Sequence, residues 1–482
     1  MTKKIRFIFS FISLGLLISF SSSVWEKPEP FKVDGAEIWA DSVLSGLSEE
    51  QTLGQLFMVA AYSNKNEAHT QEIDRLIKDQ AIGGLIFFQG GPVRQAQLTN
   101  HYQSNSKVPL FIAMDAEWGL GMRLDSTISF PKQMTLGAIQ NNAEIYKMGI
   151  EVARHCRRLG VHINFAPVVD VNSNANNPVI GVRSFGEDKI NVSQKGIAYM
   201  KGMQELRVMA NAKHFPGHGD TDTDSHLALP VVNQSISKLA DVELYPFRQL
   251  IDSGVASIIV GHINITAIDN GKAATLSKPI VTDLLKNEMG FRGLIFTDAL
   301  NMKGVSSMYK PGEVDVKALL AGNDVLLFAE NVPLAIKKIS KAIHDREITR
   351  EDINARVKKI LMAKYWAGLN NLKAVDTTNL YNDLNSSSSK AVVNRLYKQA
   401  LTVVKNQNNL IPFKIIDTAA FASVSIACNG TDNVFQHTLS SYAPFDHYSV
   451  GKTITDTASA DLIKKLKGYD VVVVGLHQIN SY

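Results

Sequence analysis

Eight short apolar runs recur between residues 50 and 370, and they constrain the fold more than any other feature of the chain. They are residues 55–59, 84–88, 109–115, 162–170, 209–214, 257–262, 293–298 and 324–328. Stretches with helical periodicity lie between most of them, at 142–159, 190–206, 237–251 and 279–289. Continuous apolar strands alternating with helices indicate a parallel sheet covered on both faces, and eight such units suit a closed (β/α)₈ barrel of the TIM type. An open doubly wound sheet is the other architecture this pattern allows.

The ends of the runs carry the chemistry. Asp115, Asp170, Lys213 with His214, His262 and Asp298 stand at or just past the C-terminal ends of expected strands. In a barrel those ends share the face on which active sites are built. Any one of them alone reads as a helix cap or a solvated loop charge; five strands ending this way point to a site.

The barrel pattern closes with residues 349–364, where Thr349 and Asp352 resemble a capping box and Ile353, Val357, Ile360 and Leu361 form an apolar stripe. The barrel is therefore expected over residues 26–370. Residues 371–390, with Ser386 to Ser389, read as a linker. From residue 391 to 482 a helix-like segment and two buried-strand candidates, at 422–427 and 470–475, indicate the start of an incomplete α/β sandwich domain.

The chain has 482 residues and a formal charge of +4, of which Lys3, Lys4 and Arg6 supply three. They precede Phe7 to Phe20 and three serines, the layout of a secretory signal peptide over residues 1–23. Fourteen apolar residues are too few for a membrane span, which needs about 20. Without that segment the charge is close to neutral, which gives no electrostatic footprint of a nucleic-acid or membrane-surface partner. No cysteine follows the apolar stretch, so soluble export to the periplasm or medium is expected without stable membrane insertion. Cys156 and Cys428 are the only cysteines, and they read as two buried thiols rather than a disulfide framework.

Residues 213–226, Lys-His-Phe-Pro-Gly-His-Gly-Asp-Thr-Asp-Thr-Asp-Ser-His, hold three of the twelve histidines. Two glycines and a proline make this run a loop. Asp220, Asp222 and Asp224 imitate a calcium loop, but its sixth position is Ser225 where Gly is needed and its twelfth is Val231 where Glu is needed. His214 and His218 are four apart, yet Pro216 and Gly217 break the helix that would place both on one zinc ion. A metal site assembled from distant residues stays open, as for a metal-dependent hydrolase; no metal or other cofactor is expected from the local motifs. Asp224 and His226, two apart, suit a carboxylate that orients an imidazole for proton transfer. Spacing alone leaves an ordinary loop hydrogen bond equally open.

The run 213–230 resembles the signature of family 3 glycoside hydrolases, in their β-N-acetylglucosaminidase branch. Residues 164–170, 179–186 and 296–302 also resemble that family's patterns, in order, and the likeness extends from about residue 45 to 370. It implies a retaining β-N-acetylhexosaminidase acting on cell-wall (peptidoglycan) or chitin-type oligosaccharides that contain N-acetylglucosamine. On this resemblance Asp298 is the nucleophile, His226 the acid/base and Asp224 its partner. Asp115, Arg123, Arg183, Lys213 and His214 match sugar-contacting positions. The resemblance also implies that the donor comes from the barrel's own loop, so that residues 26–370 suffice for chemistry. Trp118 and Met122 replace residues of the commoner motif, and Trp118 is either a sugar-stacking or a packing aromatic. A phosphorylase is the close alternative, because a histidine donor repels incoming phosphate less than a carboxylate would.

Overall fold

The computed structural model describes residues 27–225, 228–428 and 433–477; the expected signal peptide and His226 lie outside them. The chain divides into two units, one ending at Leu401 and one beginning at Thr402.

In the first unit all eight apolar runs form strands: β1 (Phe57–Ala61), β2 (Gly84–Phe87), β3 (Phe111–Met114), β4 (Ile163–Asn164), β5 (Met209–Phe215), β6 (Ser257–Val260), β7 (Leu294–Thr297) and β8 (Leu326–Leu327). Each is parallel to its neighbours in sequence order, and β8 pairs with β1. The ring is completed between β7 and the entry to β8, where Phe296 bridges Val325 and Thr297 N donates to Val325 O at 3.0 Å. This closure selects the barrel over the open sheet. The reason is visible in burial: β2, β3, β5, β6 and β7 are covered along their whole length, as strands with helices outside and packed side chains inside must be.

Helices between the strands begin where short polar side chains satisfy free N–H groups. Asp188 accepts from Ile190 N and Asn191 N, both at 2.8 Å, to start Lys189–Glu205, and Thr349 accepts from Asp352 N at 3.1 Å to start Arg350–Trp366. Two covering segments, Leu239–Glu243 and Pro279–Glu288, are π-helical, a departure that the helical periodicity of the sequence does not reveal.

The expected linker is instead part of the barrel unit. Helices Leu380–Leu384 and Ser387–Ala400 bury Leu380, Leu384 and Leu396. Ser389, fully buried, donates to Glu151 at 2.5 Å and meets His155 at 3.0 Å; Arg395 donates to Glu144 and Arg158 to Asp383. The boundary therefore falls after Leu401, and the helix from residue 391 belongs to the first unit rather than the second.

The second unit is a parallel three-stranded sheet with β9 (Phe421–Ile426) between β10 (Phe445–Val450) and β11 (Val471–Leu476). Both cysteines are free: Cys156 is buried, which pushes its thiol up to about 12, whereas Cys428 is only half-buried. Among the described residues no helix is long and apolar enough to cross a membrane.

Candidate active site

A cavity of about 650 Å³ opens at the C-terminal ends of the barrel strands. Its floor is apolar: Ile86 of β2, Phe165 just past β4, Ile259 of β6 and Leu327 of β8 line it. Even-numbered strands thus supply one interior layer, as alternation around a barrel requires. Odd-numbered strands supply the polar groups above it, with Asp115 directly after β3, Lys213 in β5 and Asp298 directly after β7. One set of side chains seals the barrel, and the next set along is free for chemistry.

The polar groups form a chain of alternating charge. Arg123 donates to Asp115 Oδ2; Lys213 Nζ lies 2.8 Å from Asp115 Oδ1 and 2.9 Å from Glu117 Oε1; Arg183 grips Glu117 through Nη2 at 2.7 Å and Nε at 3.0 Å. Arg183 Nη2 continues to His214 Nε2 at 3.4 Å. Burial alone would raise both carboxylates, but the cations outweigh it. Lys213 and Arg123 hold Asp115 far below the usual carboxylate range, while Arg183 and Lys213 hold Glu117 at about 2. Such a row presents fixed, oriented donors and acceptors, and charge-assisted hydrogen bonds of this kind suit the hydroxyls of an uncharged sugar.

Lys213 and His214 both line the cavity although they are adjacent on a strand. The pairing of β5 with β6 shifts register between Ala212 and Phe215, and such irregularities re-aim side chains next to sites. Asp170, fully buried, then anchors the segment: it accepts from His214 N at 3.1 Å and His218 N at 2.7 Å and pairs with His214 Nδ1 at 2.8 Å. His218 is engaged at both ring nitrogens, with Thr221 at 2.6 Å and Ser225 at 3.2 Å, and burial beside His214 lowers it to about 4. The rings of His214 and His218 are thus already committed to protein partners. Among the described residues no group of three His, Cys, Asp or Glu is arranged to hold a metal ion.

Asp298 is turned by Ala299 N, which donates to Oδ1 at 2.9 Å. Burial raises its affinity for a proton, yet His262, His214 and the Ala299 N–H more than offset this, and the carboxyl lies below its ordinary value. His262 in turn meets Ala299 O at 2.9 Å and Thr275 at 2.8 Å, fixing the turn that carries Asp298. An ionised carboxylate, half-buried in a cavity with an apolar floor, is a competent nucleophile.

The structure therefore brings Asp115, Arg123, Arg183, Lys213, His214 and Asp298 to one cavity. Asp224 is half-buried on the loop, its carbonyl accepting from Ala228 N at 3.1 Å, and His226 is outside the described residues. Met122 lines the cavity, whereas Trp118 does not and carries Lys132 over its ring at 5.3 Å. Glu117 goes unnoticed in the sequence reading, although an Asp-x-Glu pair just past a strand end was its signal. Asp170 was noticed without a role.

Residues 48–363 match the glycosyl hydrolase family 3 N terminal domain. The chain belongs to glycosyl hydrolase family 3. Within that family it is 34% identical over 379 residues to β-hexosaminidase A of Pseudoalteromonas piscicida, covering 70% of this chain and 62% of that protein. It is 28% identical over 397 residues to the β-N-acetylglucosaminidase/β-glucosidase of Cellulomonas fimi, covering 80% and 69%. The structure of a family 3 β-N-acetylglucosaminidase from Paenibacillus sp. str. FPU-7 superposes with a TM-score of 0.73 at 29% identity, over 89% of this chain and 84% of that one. The glycosyl hydrolase barrel found here is thus the one that its family relatives share.

Proposed function

We propose that this family 3 chain is an exported retaining β-N-acetylhexosaminidase that releases N-acetylglucosamine from cell-wall or chitin-type oligosaccharides. The observation that carries the reading is Asp298, ionised and half-buried beside the Asp115–Lys213–Glu117–Arg183 chain in one cavity of sugar-accommodating size. The names of the relatives support the choice of N-acetylglucosamine. Export rests on the N-terminal residues alone.

In this mechanism a carboxylate oxygen of Asp298 forms a bond to the anomeric carbon as the glycosidic C–O bond breaks. His226, with Asp224 as the partner the family resemblance implies, gives its proton to the departing oxygen and then takes one from a water that bonds to the anomeric carbon as the Asp298–carbon bond breaks. The charge chain holds the ring hydroxyls while the apolar floor excludes water from below.

A slow fluorinated N-acetylglucosaminide should leave a sugar covalently attached to a peptide containing Asp298, located by mass spectrometry. Attachment elsewhere, or none with turnover continuing, overturns the mechanism. Turnover that depends on phosphate and yields a sugar 1-phosphate would identify a phosphorylase instead. Loss of activity with chelator would point to a metal-dependent hydrolase.

A further inference from the structure

Glu243 ends the π-helical segment Leu239–Glu243 and is 1% exposed, yet among the described residues no cation is bonded to it. Its Oε1 accepts from Ser173 at 3.3 Å, and its Oε2 has no hydrogen-bond partner among the described residues. Beside it lies Gln234, a contact that by itself favours the ionised carboxylate; the Gln234 Nε2 donates to Asp220, and its buried Oε1 has no donor among the described residues. The charged groups facing Glu243 from the elements around it are the carboxylates of Asp170 and Asp220; Lys238 on its own helix lies 3.7 Å from Asp220, and Asp241 is tied to Lys189. Two acceptors that need one donor, in a buried place with like charges nearby, lack a single proton.

The carboxyl rests on the catalytic loop. Gly217 has φ +136, and a Cβ built on it would lie 2.6 Å from Glu243 Cβ and 2.8 Å from Oε2, so the side chain packs directly on the loop backbone between His214 and His218. Asp220, at the other end of the Gln234 bridge, belongs to the same loop.

We propose that Glu243 is a protonated carboxylic acid in the folded enzyme, donating through Oε2 to Gln234, and that this neutral bridge is the positioning element for the loop that begins at Lys213. Burial, and then the nearby Asp170, push its carboxyl up to about 8. Glu243 touches no substrate in this arrangement; it acts through Gly217 and Asp220. The functional half of the proposal rests on the glycosidase reading given above, whereas the protonation half does not.

The two halves are tested separately. Because the folded state keeps a proton that the unfolded chain releases near pH 4.5, the contribution of Glu243 to stability must fall as pH rises from about 4.5 to 8. Glu243→Gln keeps the shape of the neutral acid and removes that loss. Its melting temperature relative to the unmodified protein should therefore rise steadily between pH 5 and pH 8, by several degrees. A pH-independent difference would overturn the protonated state, whatever the enzyme acts on. An infrared band of a buried carboxylic acid at pH 7, absent in Glu243→Gln, is the second measure of the same point. For positioning, Glu243→Ala should lower kcat on an aryl N-acetylglucosaminide about tenfold with little change in KM, and Glu243→Gln should restore it. Equal activity of all three proteins, or equal loss in both variants, would overturn the positioning role.

Discussion

Lys213 and Glu117 stand 2.9 Å apart with side chains 4% and 1% exposed, so the lysine that faces the cavity is itself held by a carboxylate from another strand end. Glu117 holds Arg183 as well, which makes it the joint of the charge chain. Removing one partner of a buried pair leaves the other uncompensated, at a cost of about 3–5 kcal/mol. Glu117→Ala should therefore lower unfolding stability by that amount in urea titrations and raise KM at least tenfold. A variant as stable as the parent would show that Lys213 and Arg183 do not depend on it.

Acid should weaken the barrel in a way that can be assigned. Glu117 is held at about 2 against an ordinary value near 4.5, so its contribution is complete above 4.5 and is lost as pH falls toward 2. At 1.36 kcal/mol per unit this is about 3 kcal/mol. His218, lowered to about 4, has the same sign: the unfolded chain binds its proton first, and stability declines as pH falls from 6.5 to 4. Between pH 7 and 4.5 the loss from His218 is opposed by Glu243, whose raised carboxyl works with the other sign, so unfolding free energies should fall clearly only between pH 4.5 and pH 2, and Glu117→Gln should flatten that part.

Asp298→Asn removes the carboxylate proposed to attack the sugar but keeps an acceptor for Ala299 N. Turnover of an aryl N-acetylglucosaminide should drop on the order of 10³-fold or more, equivalent to about 4 kcal/mol of barrel-held transition-state stabilisation. The melting temperature should move by no more than a few degrees. Activity that survives in this variant would remove Asp298 from the reaction.

A fragment of residues 27–401 should fold and retain the activity of the full chain, because the cavity lies wholly within it. A fragment ending at residue 370 should not, since it uncovers the surface under Leu380, Leu384 and Leu396, each contributing about 1.5–3 kcal/mol. Circular dichroism and gel filtration of the two fragments decide between these outcomes.

The barrel was legible because its strands are apolar on both faces, a pattern that survives without any knowledge of neighbours. Strand β10 was not, since Phe-Asp-His-Tyr-Ser-Val alternates and is half-exposed, unlike the runs sought. The serines at 386–389 look like a linker in composition, but Ser386 caps a helix by accepting from Ser389 N at 3.1 Å, and Ser389 fills a buried polar slot against Glu151. Polar residues that serve as caps or bury against a distant carboxylate cannot be told from solvated ones by composition. For the same reason Glu117 was overlooked: its partners come from residues 66 and 96 positions away.

Asp170 gathers the amides of His214 and His218 on one carboxylate. Two ends of a short segment fastened to a single buried point leave it no slack. Insertions or deletions between those histidines should be absent from functional descendants of this chain, and length variation in the loop should be confined to the stretch after Thr221.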